Sequence, residues 1–132
     1  MATNGELVKN LYAAFGVGDV PAVLGAFDPQ IRWMEAEGFL YAAGNPYVGP
    51  QAVAEGVFMR IVSDVDGFAV VPQNFVDGGD TVVVEGRYRG TMKATGTPVD
   101  AAFAHFWQFR GGKIVAFQQY TDTKQWAAAQ GA

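Results

Sequence analysis

The order of hydrophobic periodicities predicts an α+β fold, with helices packed on one face of a mainly antiparallel sheet. Helical spacing dominates the first half of the chain, and four strand-like runs separated by short turns fill the second. The 132 residues, half of them hydrophobic, suit a single domain over 1–132 with one core.

From Gly5 to Phe15, the residues Leu7, Val8, Leu11, Tyr12 and Phe15 recur at three- and four-residue steps, which marks one face of a first helix. Asp19 then caps a second helix with Pro21 in its first turn and Val20, Val23, Leu24 and Phe27 as its stripe, stopped by residues 28–30. The stretch 31–37, IRWMEAE, alternates Ile31, Trp33 and Glu35 against Arg32 and Met34 and reads as a short strand. Residues 38–49, rich in Gly and aromatics without a period, read as a loop and candidate lid. Pro50 opens a third helix whose face is Val53, Val57, Phe58 and Ile61, ending by Ser63 to Gly67. Strands are predicted at Phe68–Val76, Thr81–Tyr88, Val99–Arg110 and Lys113–Thr121. A last helix follows Asp122, with Gln125 placed to complete a capping box and Trp126 to anchor it.

Composition removes several chemistries. Without cysteine there is no disulfide, thiolate metal site or cysteine nucleophile. One histidine argues against a three-histidine metal centre, and no metal or cofactor is expected. The sole serine, Ser63, sits in a loop-like stretch that suits no Ser-His hydrolase. GVGDVP at 16–21 ends in proline and follows no strand, so it reads as a helix stop rather than a dinucleotide loop. Nine scattered Lys and Arg and a net charge of −4 argue against a nucleic-acid partner. No window is long enough for a membrane span and the N-terminus does not read as a secretory leader, so a cytoplasmic location is the expectation.

The succession of elements, with the marks GDVPAVLGAF, Gly49 before the third helix, VEGRYRG and FRGGKIVAFQQYTDT, resembles the NTF2-like superfamily, and within it the SnoaL-like and ketosteroid-isomerase-related proteins. The resemblance runs from Leu7 to Trp126 and implies a cone in which helices and a curved sheet enclose a pocket. It also implies roles. His105 falls where ketosteroid isomerase keeps its hydrogen-bond-donating acid, and Glu35 where it keeps its general base. The tyrosine of that enzyme's oxyanion hole aligns with Leu11, which leaves Tyr12 turned one position around the helix. Gln119 replaces an acidic residue of limonene-epoxide hydrolase and SnoaL-type cyclases; it can orient a substrate but not transfer a proton.

Facing can be argued from the hairpin FRGGK. A three-residue loop with Gly112 in a G1 bulge pairs Phe109 with Lys113, sets His105 opposite Phe117, and places Phe103, His105, Trp107, Phe117, Gln119 and Thr121 on one face. A two-residue Gly111-Gly112 turn shifts every partner by one and sets His105 opposite Gln118. On the other face, Ala102, Ala104, Phe106, Ile114, Ala116 and Tyr120 are too apolar for water, so a homodimer through the outer sheet face is expected. Glu85, Arg87 and Arg89 alternate with Val82, Val84, Gly86 and Tyr88 and belong to the outer or rim side.

The resulting expectation is a cofactor-independent acid-base enzyme, isomerase- or cyclase-like, acting on a small hydrophobic carbonyl- or ring-containing metabolite. Glu35 and His105 are its catalytic pair, and Trp33, Phe58, Phe103, Trp107, Phe117, Gln119 and Thr121 its substrate contacts. The other readings are a non-catalytic ligand-binding module, or water activation as in epoxide hydrolysis. Residue by residue, His105 is otherwise a core histidine bonded to Gln119 or a backbone carbonyl, Glu35 a rim carboxylate or the partner of an arginine such as Arg60, and Asp122 a helix cap.

Overall fold

The computed structural model describes residues 2–131. Helix α1 (Asn4–Gly16) begins with a capping box in which Thr3 accepts from the Glu6 N–H and Glu6 accepts from the Thr3 N–H. It buries Val8, Leu11 and Tyr12. Helix α2 (Val20–Gly25) starts at Asp19 and Pro21 as the caps predict but stops early. Phe27 does not belong to its stripe; it opens β1 (Phe27–Met34), and residues 28–30 lie in that strand. Pairing of Phe27 with Ile114, and packing of its ring against Trp33 and Trp107, outweigh the local helical spacing.

Strand β2 (Tyr47–Val48) returns antiparallel to β1. A continuous helical segment follows: α3 (Pro50–Val53), a π turn (Ala54–Phe58) and α4 (Met59–Asp64). The Tyr47 ring lies against Gly56 so closely that a Cβ there would come within 2.3 Å of it, which explains the glycine. Strands β3 (Val65–Asp77), β4 (Thr81–Met92), β5 (Pro98–Arg110) and β6 (Lys113–Thr121) complete a sheet of order β2-β1-β6-β5-β4-β3. Only β1 and β6 run parallel. No described helix is long and apolar enough to cross a membrane.

The β5–β6 hairpin turns by the two-residue alternative at its tip, and neither predicted register holds beyond Ile114. Gly111 and Gly112 both have positive φ, as a two-residue type I′ turn requires, and Arg110 pairs with Lys113. An irregularity at Val115 then shifts the register once more, so that His105 pairs with Gln119 and Trp107 with Phe117. Two shifts of one residue restore the alternation, so Phe103, His105, Trp107, Phe117 and Gln119 face inward together as expected. Ile114, between the turn and the bulge, has undergone only one shift. It pairs with Phe109 and is buried, and the expectation that it faces outward is corrected.

Helix α5 (Thr123–Ala129) is capped by Asp122, which accepts from the Gln125 N–H. Gln125 does not close a capping box: its side chain spans the N–H and C=O of Asp100, at 2.7 and 3.1 Å. Trp126 is buried against Phe39 and Tyr88. Its replacement by alanine should cost about 3–5 kcal/mol, the usual range for an emptied aromatic site, read as a lower urea midpoint at unchanged m-value.

Candidate functional site

Among the described residues the buried polar or charged side chains are Glu35, His105 and Gln119, and all three line one internal cavity. Burying such groups is costly unless they are bonded, so their partners matter.

His105 reaches the cavity from the middle of β5, with the Phe103 ring stacked on it at 4.0 Å and the Phe117 ring meeting it at 60°. Both of its nitrogens are taken. Nδ1 lies 2.5 Å from the Tyr12 hydroxyl and Nε2 2.5 Å from the Tyr88 hydroxyl. Trp107 Nε1 donates to the Tyr12 hydroxyl at 3.0 Å, and Gln119 Nε2 to that of Tyr88 at 3.0 Å. Gln119 Oε1 accepts from the Ala36 N–H at 3.1 Å. His105 is therefore satisfied by tyrosines, not by Gln119 or a carbonyl. Burial depresses its pKa to about 3 and raises those of both tyrosines, so the chain is neutral near pH 7. An imidazole that is neutral and bonded at both nitrogens offers a ligand nothing directly; the hydroxyls of Tyr12 and Tyr88 are what it supports.

Depression of the pKa also means that His105 stability is present above about pH 6.5 and lost as pH falls toward 3, because the unfolded chain takes up the proton first. The single imidazole should therefore show constant NMR shifts from pH 5 to 9. A midpoint near 6.5 in the folded protein would contradict the burial described.

Glu35 stands one residue beyond β1, outside the strand in which the sequence pattern places it, because side chains rather than a strand ladder take its neighbouring N–H groups. Asn45 clamps it by accepting from its N–H and donating to its C=O, both at 2.8 Å. Oε2 accepts from Trp33 Nε1 at 3.1 Å, whereas the buried Oε1 has no partner. Burial raises the Glu35 pKa to about 7, a rise limited by the Trp33 bond and by the charge of Arg60. Arg60 forms no ion pair with Glu35; its guanidinium lies over the Tyr41 ring at 4.2 Å. Glu35 is thus a buried carboxyl rather than a rim group.

The remaining walls are apolar. Trp33, Phe58, Trp107 and Phe117 line the cavity as expected, joined by Phe39, Tyr41, Val57 and Ile61. Its volume is about 70 Å³, enough for roughly five waters. Half-buried Phe15, Phe68 and Val70 place the mouth between α1 and β3. Two expected contacts are corrected. Phe103 backs the His105 and Tyr88 rings without lining the cavity. Thr121 is not among the lining residues, and its hydroxyl donates to the Ala102 carbonyl at 2.7 Å instead.

The candidate lid is held by the Tyr41 hydroxyl on Asp64 and the Tyr47 hydroxyl on the Tyr41 carbonyl, both at 2.7 Å. No Lys or Arg lines the cavity. Among the described residues no group of three or more His, Cys, Asp or Glu is placed to share a metal ion.

The residues that sequence reasoning passed over are Tyr12, Tyr88 and Asn45. Tyr88 belongs to the inward set of β4 with Val82 and Val84, a signal already in the alternation. Tyr12 is adjacent to Leu11, and both line the cavity because it spans more than one position of the helix surface.

Comparison with known proteins agrees with this architecture. No curated protein sequence matches the chain. An NTF2-like protein from Burkholderia thailandensis is 36% identical, with 98% of both chains covered and a TM-score of 0.94. An NTF2-like protein of unknown function from Burkholderia pseudomallei is 28% identical over 100% of both chains, TM-score 0.89. TerC, co-crystallised with polyporic acid, is 26% identical over 96% of this chain and 97% of its own, TM-score 0.83. The family model of the SnoaL-like domain matches residues 8–117, and with the cone-like α+β fold and its cavity this chain belongs to the SnoaL-like family of the NTF2-like superfamily.

Proposed function

We propose that the protein is an acid-base enzyme that moves a proton on a small, neutral, ring-containing carbonyl compound without a cofactor. The observation that carries this reading is the orphaned Oε1 of Glu35, a buried carboxyl with a pKa of about 7 in a cavity that also holds two supported tyrosine hydroxyls. Ionised Glu35 takes a proton from the carbon beside the carbonyl. The C–H electron pair shifts into the new enolate, whose oxygen accepts a hydrogen bond from Tyr12 or Tyr88. Glu35 then returns its proton to the same or a conjugated carbon. A ligand carrying a negative charge would find no cation in the walls, which favours neutral substrates.

The test is deuterium incorporation into 1-indanone beside its carbonyl, followed by proton NMR in D2O. Exchange above the buffer rate, saturating with ketone, is the expected outcome; a rate equal to buffer at millimolar protein would sink the catalytic reading. A second reading, a module that only holds such a ligand, is favoured by one fact: every polar group of the site except Glu35 Oε1 is already bonded within the protein.

The assembly we propose is a homodimer through the outer sheet face. Phe106 and Tyr120 pack edge to face there in the open. Arg87 and Arg89 share the single carboxylate of Asp100 there, and Glu85 lies on the same face of β4, so the opposite charges of that face balance, which suits a second copy better than a charged partner. Sedimentation equilibrium should give twice 14.1 kDa, and Tyr120→Asp should halve it.

A further inference from the structure

The molecule holds a second hollow, of about 290 Å³, and it shares one wall residue with the first, Leu11. The other elements that border both give a different residue to each. Helix α2 gives Val23 to the first and Ala22 and Ala26 to the second; β5 gives Trp107 and Phe109, and β6 gives Phe117 and Ile114. Trp107 and Phe109 are two strand residues apart and both buried, so the hollows are successive layers along the inner face of the sheet, about 7 Å apart. On α1, Phe15 stands at the mouth of the first hollow, Leu11 about 6 Å further along the helix axis, and Leu7 one turn beyond it, in the second. Leu11 is therefore at the deep end of the first hollow, opposite its mouth. On the sheet side the layers are separated by Phe27, which pairs with Ile114, packs on Trp107 and borders neither hollow. On the helix side the separation is Leu11, which is 7% exposed.

We propose that Leu11 determines ligand length at this site: its side chain is the stop at the deep end, and the second hollow is the space that a longer ligand would need. A chain growing toward Leu11 gains buried methylenes until it meets that side chain. Beyond this length it has to turn back to the mouth and into water, where it gains nothing. This rests on the reading of the first hollow as a carbonyl-ligand site, though not on turnover.

The experiment titrates the methyl ketones from 2-butanone to 2-nonanone into wild type, Leu11→Ala and Ile61→Ala, followed by NMR. Ile61 borders the first hollow alone, so its truncation adds space without joining the two. In the wild type each added methylene should tighten binding about fourfold up to a limiting length and not beyond. Leu11→Ala should carry the gain past that length, with nuclear Overhauser contacts from the terminal methyl of the ketone to Ala22 and Ala26, which border only the second hollow. Ile61→Ala should show no such contacts. An unchanged limit in Leu11→Ala, contacts to Ala22 or Ala26 in the wild type, or an equal extension in Ile61→Ala would overturn the proposal. Should Leu11→Ala fail to fold, the wild-type complex at the limiting length decides: contact between the terminal methyl and the Leu11 methyls supports the stop, and its absence overturns it. A length limit found without any proton exchange sinks the enzymatic reading alone, whereas ketones that do not bind at all remove both.

Discussion

Glu35→Gln should lose ketone exchange by about 10²–10⁴-fold, the range for a positioned general base, and should at the same time stabilise the protein at alkaline pH. The second effect follows from the first group's environment. Burial raises the Glu35 pKa from 4.5 to about 7, so between those values the folded state holds a proton that the unfolded chain has released. Stability from this group is complete below about pH 4.5 and is lost as pH rises through 7, to the extent of about 3 kcal/mol. Glutamine keeps an acceptor for Trp33 Nε1 and carries no charge. Thermal melts should show the variant gaining several degrees over the wild type at pH 8 and little at pH 5. In the wild type, exchange should rise with pH through about 7 and then level, since the ionised carboxyl is the base. A pH-independent rate, or a variant that loses stability at pH 8, would remove Glu35 from this role.

Tyr12→Phe and Tyr88→Phe should each reduce exchange by only about tenfold, whereas the double variant should lose about 10³-fold, the scale of removing oxyanion donors. The reason for this non-additivity lies in His105. When one tyrosine is lost, the imidazole can donate to the remaining one and free its hydroxyl for the substrate, at the expense of one unsatisfied ring nitrogen. With both lost, no hydroxyl faces the carbonyl. Steady-state kcat/KM for the four proteins measures this directly; equal losses in single and double variants would mean that only one tyrosine serves the substrate.

Much of the site's inner face was legible because strand alternation is robust to even errors. The two-residue turn and the bulge at Val115 each displace the β5–β6 register by one, and together they return His105, Trp107, Phe117 and Gln119 to the face that a wrong register had assigned them. Ile114 was misread because it lies where only one displacement has acted. Helix α2 was overextended for a related reason: the spacing of Phe27 fits a helix, and only its pairing with Ile114 makes it a strand residue.

The sequence by itself determined the fold class, the inward set of the long strands and the presence of one histidine and one carboxylate among aromatics, since periodicity and turn chemistry are local properties. What only the tertiary structure decided is how those groups are bonded. Tyr12 and Tyr88 meet His105 across separations of 93 and 17 residues, and Asn45 clamps Glu35 from a loop with no periodic pattern. Burial then sets the ionisation of each group, and burial is a property of the assembled cone, where desolvation drives the histidine pKa down and the carboxyl pKa up.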